Sequence, residues 1–332
     1  MPMTAKQMHH LAIVRSMSTR EADHQRGRYY MHTGFVPNPN VEHPGYGSLI
    51  AHELATAVPS LEIPPFVSVG GGSVGPGFLG TTWAPFVVSS QGDVKNLESS
   101  VSQERLVSRL QMLAAIENRF IQERRGQLPE DHREVVGKSV QLMSSSQLAA
   151  FQVSEEPASV QERYGETDFG RGCLMARRLV EVGVPFVEVN LGGWDNHSNI
   201  FGTLADQRLP NLDRAMSALI ADLADRGILD TTAVIWMGEF GRTPTINGNG
   251  GRDHWARSWS AVVGGAGFNR GVVVGETSAD GREVASEPYS SQDLMTSVLK
   301  ALDISLETTF RAKNGRPMKI ANGGQVIPGL FS

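Results

Sequence analysis

The stretch that most constrains this chain is Thr232-Ala-Val-Ile-Trp-Met-Gly-Glu-Phe-Gly-Arg-Thr243. An apolar run of strand-forming residues stops abruptly at a carboxylate, Glu239. Gly241, Arg242 and, after Gly250-Gly-Arg, the adjacent pair Asp253-His254 follow. A buried strand that hands acid and imidazole groups to the loop at its C-terminal end is the way open α/β sheets place chemistry.

Other segments repeat that plan. Leu11-Ala-Ile-Val14, Pro64–Val69, Phe86-Val-Val88, Pro185–Asn190 and Ser260–Val263 read as strands by composition and length. Between them, helical periodicity predicts helices over Ser48–Ala57, Glu104–Arg125, Val135–Phe151, Asp168–Val182, Leu209–Arg226 and Asp293–Leu302. Asp23 or Thr19 caps a further helix that stops at Thr33-Gly34, where glycine suits a helix C-terminus. Strands alternating with helices argue for an α/β protein with a mostly parallel central sheet covered on both faces. With no internal repeat or low-complexity linker, residues 1–332 form one domain, and 101–185 is a mainly helical segment within it. The charges of Arg124, Arg125, Glu130 and Asp131 belong to solvated helix faces.

Composition narrows the function classes. A net charge of −5 argues against a nucleic-acid partner, which calls for a basic face. The single cysteine, Cys173, rules out a disulfide framework and reads as a buried structural thiol. No run approaches the ~20 apolar residues of a membrane span, and the start, Met1–His10, lacks the apolar core of a secretion leader. The Gly70-Gly-Gly-Ser-Val-Gly-Pro-Gly77 run has no Gly-Lys-Ser/Thr ending and reads as a loop rather than a phosphate cradle.

Three polar groups fall where strand-end loops are expected: Asp23/His24/Arg28/His32, Asp195/His197, and Glu239/Arg242/Asp253/His254. Oxygen and imidazole donors without cysteine suit a divalent metal, with the histidines favouring zinc or manganese over calcium or magnesium. Asp195 and His197 lie two apart in a glycine-rich turn and can converge on one ion. The bland reading makes Asp195 a turn residue and pairs Glu239 with Arg242 at the surface.

The motifs Arg15-Ser-Met-Ser-Thr19, Met31-His-Thr-Gly34, Gly193-Trp-Asp-Asn-His197, Gly238-Glu-Phe-Gly-Arg-Thr-Pro244 and Gly251-Arg-Asp-His-Trp255 resemble those of the bacterial DUF1501 family over nearly the whole chain. That resemblance implies an alkaline phosphatase/sulfatase-like three-layer sandwich with a metal site at the strand C-termini. It further implies that Thr33-Gly34 closes the helix whose start carries the superfamily's nucleophile. That position holds His24, and Arg28 falls on the motif arginine. By the same resemblance Asp195, His197, Glu239, Asp253 and His254 are metal ligands, and Arg28 and Arg242 clamp an anion. A histidine at the nucleophile position can attack phosphorus, act as a base or ligate metal. The family's usual opening strand, ending in Gly-Gly-x-Ser-Gln-x-Asp, precedes the point where this chain starts, and its relatives' export leaders imply a periplasmic or exported location. The expectation is a metal-dependent hydrolase acting on a small-molecule or glycan phosphate or sulfate ester. The alternatives are a non-catalytic relative that binds metal, glycan or a partner protein, and a phosphomutase-type transferase.

Overall fold

In the computed structural model, which describes residues 1–94, 97–123 and 128–332, strands and short helices alternate along the first half of the chain. The order is α1 (Pro2–Ala5), β1 (Leu11–Met17), α2 (His24–Thr33), α3 (Tyr46–Leu54), β2 (Phe66–Val69) and β3 (Phe86–Val88). Four helices follow, α4 (Gln103–Gln122), α5 (Leu128–Ser144), α6 (Ala158–Tyr164) and α7 (Asp168–Glu181). Then come β4 (Phe186–Val189), α8 (Ile200–Thr203), α9 (Leu209–Asp225), β5 (Val234–Trp236), β6 (Gly241–Arg242), β7 (His254–Trp255), β8 (Trp259–Gly264) and β9 (Val273–Val274). The chain finishes with α10 (Ser291–Ala301), β10 (Thr309–Arg311) and β11 (Pro317–Lys319). Arg124 and Arg125 lie outside the described residues. Among the described residues no helix is long and apolar enough to cross a membrane.

The protein is mixed α/β, but its strands do not join into one large parallel sheet. They form a four-stranded sheet in the order β5-β8-β1-β9, a three-stranded parallel sheet β3-β2-β4, and two small hairpins. β8 runs antiparallel to both of its neighbours, pairing Val263 with Ala12 on one side and with Ile235 on the other. Among the described residues β4 pairs only with β2, and β5 only with β8. The expected continuous parallel sheet fails at this break and at the reversed β8. Periodicity identifies strands without saying which edges meet or in what sense.

Helix α9 shows how the two sheets share a core. Leu212, Met216, Ile220 and Leu223 recur on one face and pack with Leu11, Val234 and Val262 of the four-stranded sheet. Ala215 and Ala218, on the adjoining face, meet Val67, Val69 and the apolar side of α7. Recurrence at three and four residues is what puts each set on one stripe. Burying a side chain such as Ile220, fully enclosed, contributes about 1.5–3 kcal/mol. Gly172 lets α7 lie close to the parallel sheet, since a Cβ there would sit 2.8 Å from Val189 Cγ1. On another side α3 and α10 cover β1 and β8 through Leu49, Ile50, Leu294 and Val298. Cys173 lies in the α7 core with its thiol pushed up to about 12 by burial, so it is an inert packing group.

The strand directions decide where loops emerge. Because β8 opposes both β1 and β5, the last two share a direction and their C-terminal ends leave the sheet on the same side. The lead-in to β8 enters from that side too. Chain that follows β1, chain that follows β5 and chain that precedes β8 therefore converge at one end.

Candidate metal centre

Four chain segments meet at that end. The first is the start of α2. Asp23 caps it by accepting from the Arg26 N–H at 3.0 Å, and Gly34, in the left-handed region at φ 73°, ends it. His24 is thereby fixed as the first helical residue. Gly27, one turn on, brings α2 against the chain after β5, where a Cβ would stand 3.1 Å from Phe240 Cδ1 and 3.3 Å from Glu239 Cβ.

The second and third segments are the loop after β4, carrying Asp195 and His197, and the chain after β5, carrying Glu239 and Phe240. The fourth is the β6–β7 hairpin, in which Arg242 and His254 are direct cross-strand partners. The Asn247–Gly251 turn locks this hairpin onto the β4 loop. Gly250 bridges Ser198, Arg252 N–H donates to the Asn196 carbonyl at 3.0 Å, and Asn247 Nδ2 donates to the His197 carbonyl at 3.1 Å. The crossing is tight enough to require glycine at Gly251, where a Cβ would stand 2.0 Å from the His197 carbonyl carbon.

The three histidines have a common arrangement. His24 Nδ1 lies 2.5 Å from Glu239 Oε1, His197 Nδ1 lies 2.7 Å from Asp253 Oδ1, and His254 Nδ1 lies 2.6 Å from the Ala22 carbonyl oxygen. An acceptor at Nδ1 keeps the proton there and leaves the lone pair on Nε2. All three Nε2 atoms turn to Asp195. His24 Nε2 is 3.1 Å from Oδ2, His197 Nε2 is 2.9 Å from Oδ1, and His254 Nε2 is 3.1 Å from Oδ1. Arg242 Nη1 reaches the same Oδ1 at 2.5 Å. The Phe240 ring lies under the group, 5.1 Å from the His24 ring and 4.7 Å from that of His254.

Charge follows from these contacts. Burial alone would raise the Asp195 pKa, but the hydrogen bond from Arg242 and the adjacent His254 and His24 rings outweigh it and hold the carboxyl well below the usual range. Burial of His24 works against its charged form, yet the adjoining Glu239 and Asp195 carboxylates prevail and raise its pKa. Asp253 is lowered by its bonds from His197 and Asn247. With neutral imidazoles, three carboxylates face one guanidinium.

Every predicted site residue but one is drawn into this cluster. Arg28 is the exception. Its guanidinium donates to the Gly72 carbonyl and stands 3.8 Å from Glu188 Oε1. His32, a turn further along α2, also faces Glu188, at 3.7 Å, and burial lowers its pKa. Glu239 and Asp253 lie behind the histidines, on Nδ1. Two participants were not singled out from the sequence. Asn247 carried a signal in its Asn-Gly-Asn-Gly-Gly turn, whereas the Ala22 carbonyl carried none, because any residue supplies a carbonyl.

His24, Asp195 and His254 offer donor atoms that all lie within 4.8 Å of one another. A family model described as Protein of unknown function (DUF1501) matches residues 1–331. The chain belongs to the DUF1501 family. No curated protein matches it. The match covers all the segments, around His24, Asp195, Glu239 and His254, that meet at this end of the fold.

Proposed function

We propose that the cluster is a divalent-metal site, zinc or manganese, serving hydrolysis of a phosphate or sulfate ester. The observation that carries this reading is the convergence of three imidazole Nε2 atoms on one carboxylate, each with its Nδ1 held from behind. His24 Nε2 is moreover buried without a hydrogen-bond partner, although Asp195 is close. An orphaned ring nitrogen at the centre of a cluster with excess negative charge suits a cation. Three nitrogens and one oxygen, with no thiolate, make a borderline donor set of the kind zinc takes in catalytic sites.

In this reading His24, His197, His254 and Asp195 are the ligands, and Glu239, Asp253 and the Ala22 carbonyl orient them. When bound, the ion supplies Lewis acidity toward an ester oxygen and lowers the pKa of water. Arg242, whose planar fork matches an anionic ester, exchanges its bond to Asp195 for the substrate oxygens. His24 at the N-terminus of α2 is a ligand rather than a nucleophile in this reading, since Glu239 holds its Nδ1 and its Nε2 faces the centre of the cluster. The resemblance to alkaline phosphatase and sulfatase-like proteins supports ester hydrolysis as the reaction class, and the strand-end position of the cluster agrees with it.

The deciding experiment pairs metal analysis of the purified protein with hydrolysis assays on phosphate and sulfate mono- and diesters. The expected outcome is stoichiometric zinc or manganese, lost in His24→Ala and His254→Ala, and turnover that chelation abolishes. Stoichiometric metal without turnover on any ester would favour a binding role. A folded protein that takes up no metal would end the reading.

A further inference from the structure

The three-stranded parallel sheet carries an opening of its own, distinct in its lining from the candidate metal centre. A cavity of about 780 Å³ sits at the C-terminal ends of β2, β3 and β4, a size suited to a small organic ligand. Val69, Val88 and Val189, the last residues of the three parallel strands, floor it together with Phe86. The wall is polar, formed by the Gly70-Gly71 backbone, Ser90, Asp93, Asp168 and Asn190.

Its chemistry selects among ligands. The charged side chains among the described residues lining it are both carboxylates, Asp93 and Asp168. The charge of Asp168 is already met, since its Oδ1 accepts from Ser90 at 2.6 Å and from Arg171 at 2.7 Å. That leaves one uncompensated carboxylate, hydroxyl groups, a side-chain amide and two glycine peptides over an apolar floor. Carboxylate and amide acceptors beside a hydrophobic surface are complementary to a neutral ligand bearing several hydroxyls and an apolar ring face.

The cavity is also tied to the metal cluster by both of its glycine-rich borders. Asn190 in its wall precedes Asp195 by five residues, a span of at most ~17 Å when extended. Gly71 in its wall adjoins Gly72, whose carbonyl receives the Arg28 guanidinium. Arg28, on the helix that carries His24, thus reaches the border of the cavity with about half of its side chain exposed.

We propose that this cavity is a subsite for a neutral polyhydroxylated group, a pyranose ring, which forms the alcohol portion of the ester. The assignment of that ring to an ester rests on the hydrolase reading above, whereas the binding of the ring itself does not. The ester oxygens face Arg242 and the histidines, and the ring extends past Gly72 onto β2, β3 and β4.

The test is binding of methyl α-D-glucopyranoside and methyl β-D-galactopyranoside, read by saturation-transfer NMR and calorimetry on the full chain, with and without added zinc. At least one glycoside binds in both conditions. Val87→Trp, which places a bulky ring over the cavity from a side chain 53% exposed, and Asp93→Asn each weaken it about tenfold, while zinc affinity stays unchanged. Val87 is at the surface of an edge strand, and Asp93→Asn keeps shape, so loss of binding with an unaltered fold is attributable to the cavity. Failure of both glycosides to bind, or binding indifferent to both variants, overturns the subsite. Preference for choline over either glycoside overturns it as well, because the carboxylates would then be reading a cation. Glycoside binding in a protein that takes up no zinc upholds the subsite and removes the hydrolase reading; zinc uptake without glycoside binding does the reverse.

Discussion

Glu239 illustrates how much the role of a residue depends on which atom it faces. From the sequence it is a carboxylate at a strand end, with the standing of a metal ligand. In the fold its oxygen lies 2.5 Å from His24 Nδ1, on the side of the ring away from Asp195. Under the proposed metal reading it sets the tautomer and angle of a ligand, His24, without being one. Glu239→Ala is expected to weaken zinc binding 10- to 100-fold while leaving its stoichiometry intact, as loss of an orienting partner does. His24→Ala, which deletes a donor, is expected to cost more. Competition against a chromophoric chelator measures both. Equal losses for the two variants would make Glu239 a ligand in its own right, and no loss for Glu239→Ala would leave the pair without a role. A sequence pattern can place Glu239 near His24 only by resemblance, since 215 residues separate them.

At the scale of elements, legibility depended on whether the signal was local. Both ends of α2 were readable because capping is a matter of three or four neighbouring residues: Asp23 meets the Arg26 N–H, and Gly34 adopts a left-handed turn. The strand β5 and its Glu239 loop were readable from an apolar run and its abrupt end. What could not be read was the sense of β8. Ser260-Ala-Val-Val263 looks the same whether it runs with β1 or against it, yet only the antiparallel sense brings His254 to the end where β1 and β5 deliver His24 and Glu239. The β6–β7 hairpin was missed for a related reason, being two residues a side and recognisable only from its partner. The helix cap gives this scale its own prediction. Asp23→Ala should lower stability by about 1 kcal/mol, the usual cost of losing such a cap. Because the frayed turn begins at His24, metal affinity should fall in the same variant. Asp23→Ser, which restores an acceptor, should recover both in urea titration and chelator competition. Recovery of stability without recovery of affinity would separate the helix start from the site.

Across the whole molecule, groups remote from the candidate metal centre add their own response to acid. Arg177, 2% exposed in α7, is ringed by Glu156, Glu181 and Asp222, and Asp222 also accepts from Arg163 and Tyr164. Burial would raise the pKa of Asp222, but these partners prevail and lower it, and Glu156 is lowered by Arg177 and Arg178 against the same opposing burial. Carboxyls whose folded pKa lies below the unfolded value of about 4 contribute stability that is complete above that value. It is lost as pH falls through their folded pKa. His43 works in a higher range. It is buried in a stack on Phe35, and desolvation lowers its pKa below the ordinary value of about 6.5. A base depressed by folding favours the native state while neutral, and that contribution starts to fall once the unfolded chain can take up the proton, below about 6.5. Urea midpoints of the metal-free protein should therefore decline in two stages, a shallow one below about pH 6.5 and a steeper one below about pH 4. His43→Phe should shrink the first stage, to which His32 and His10, also lowered by burial, contribute, and leave the second. Asp222→Ala, which takes one of three carboxylates from a buried guanidinium and leaves Glu156 and Glu181 in place, should cost about 1–3 kcal/mol at neutral pH and blunt the acid stage. A single decline, unchanged by either substitution, would place the acid response elsewhere and leave the Arg177 network as packing without linkage to pH.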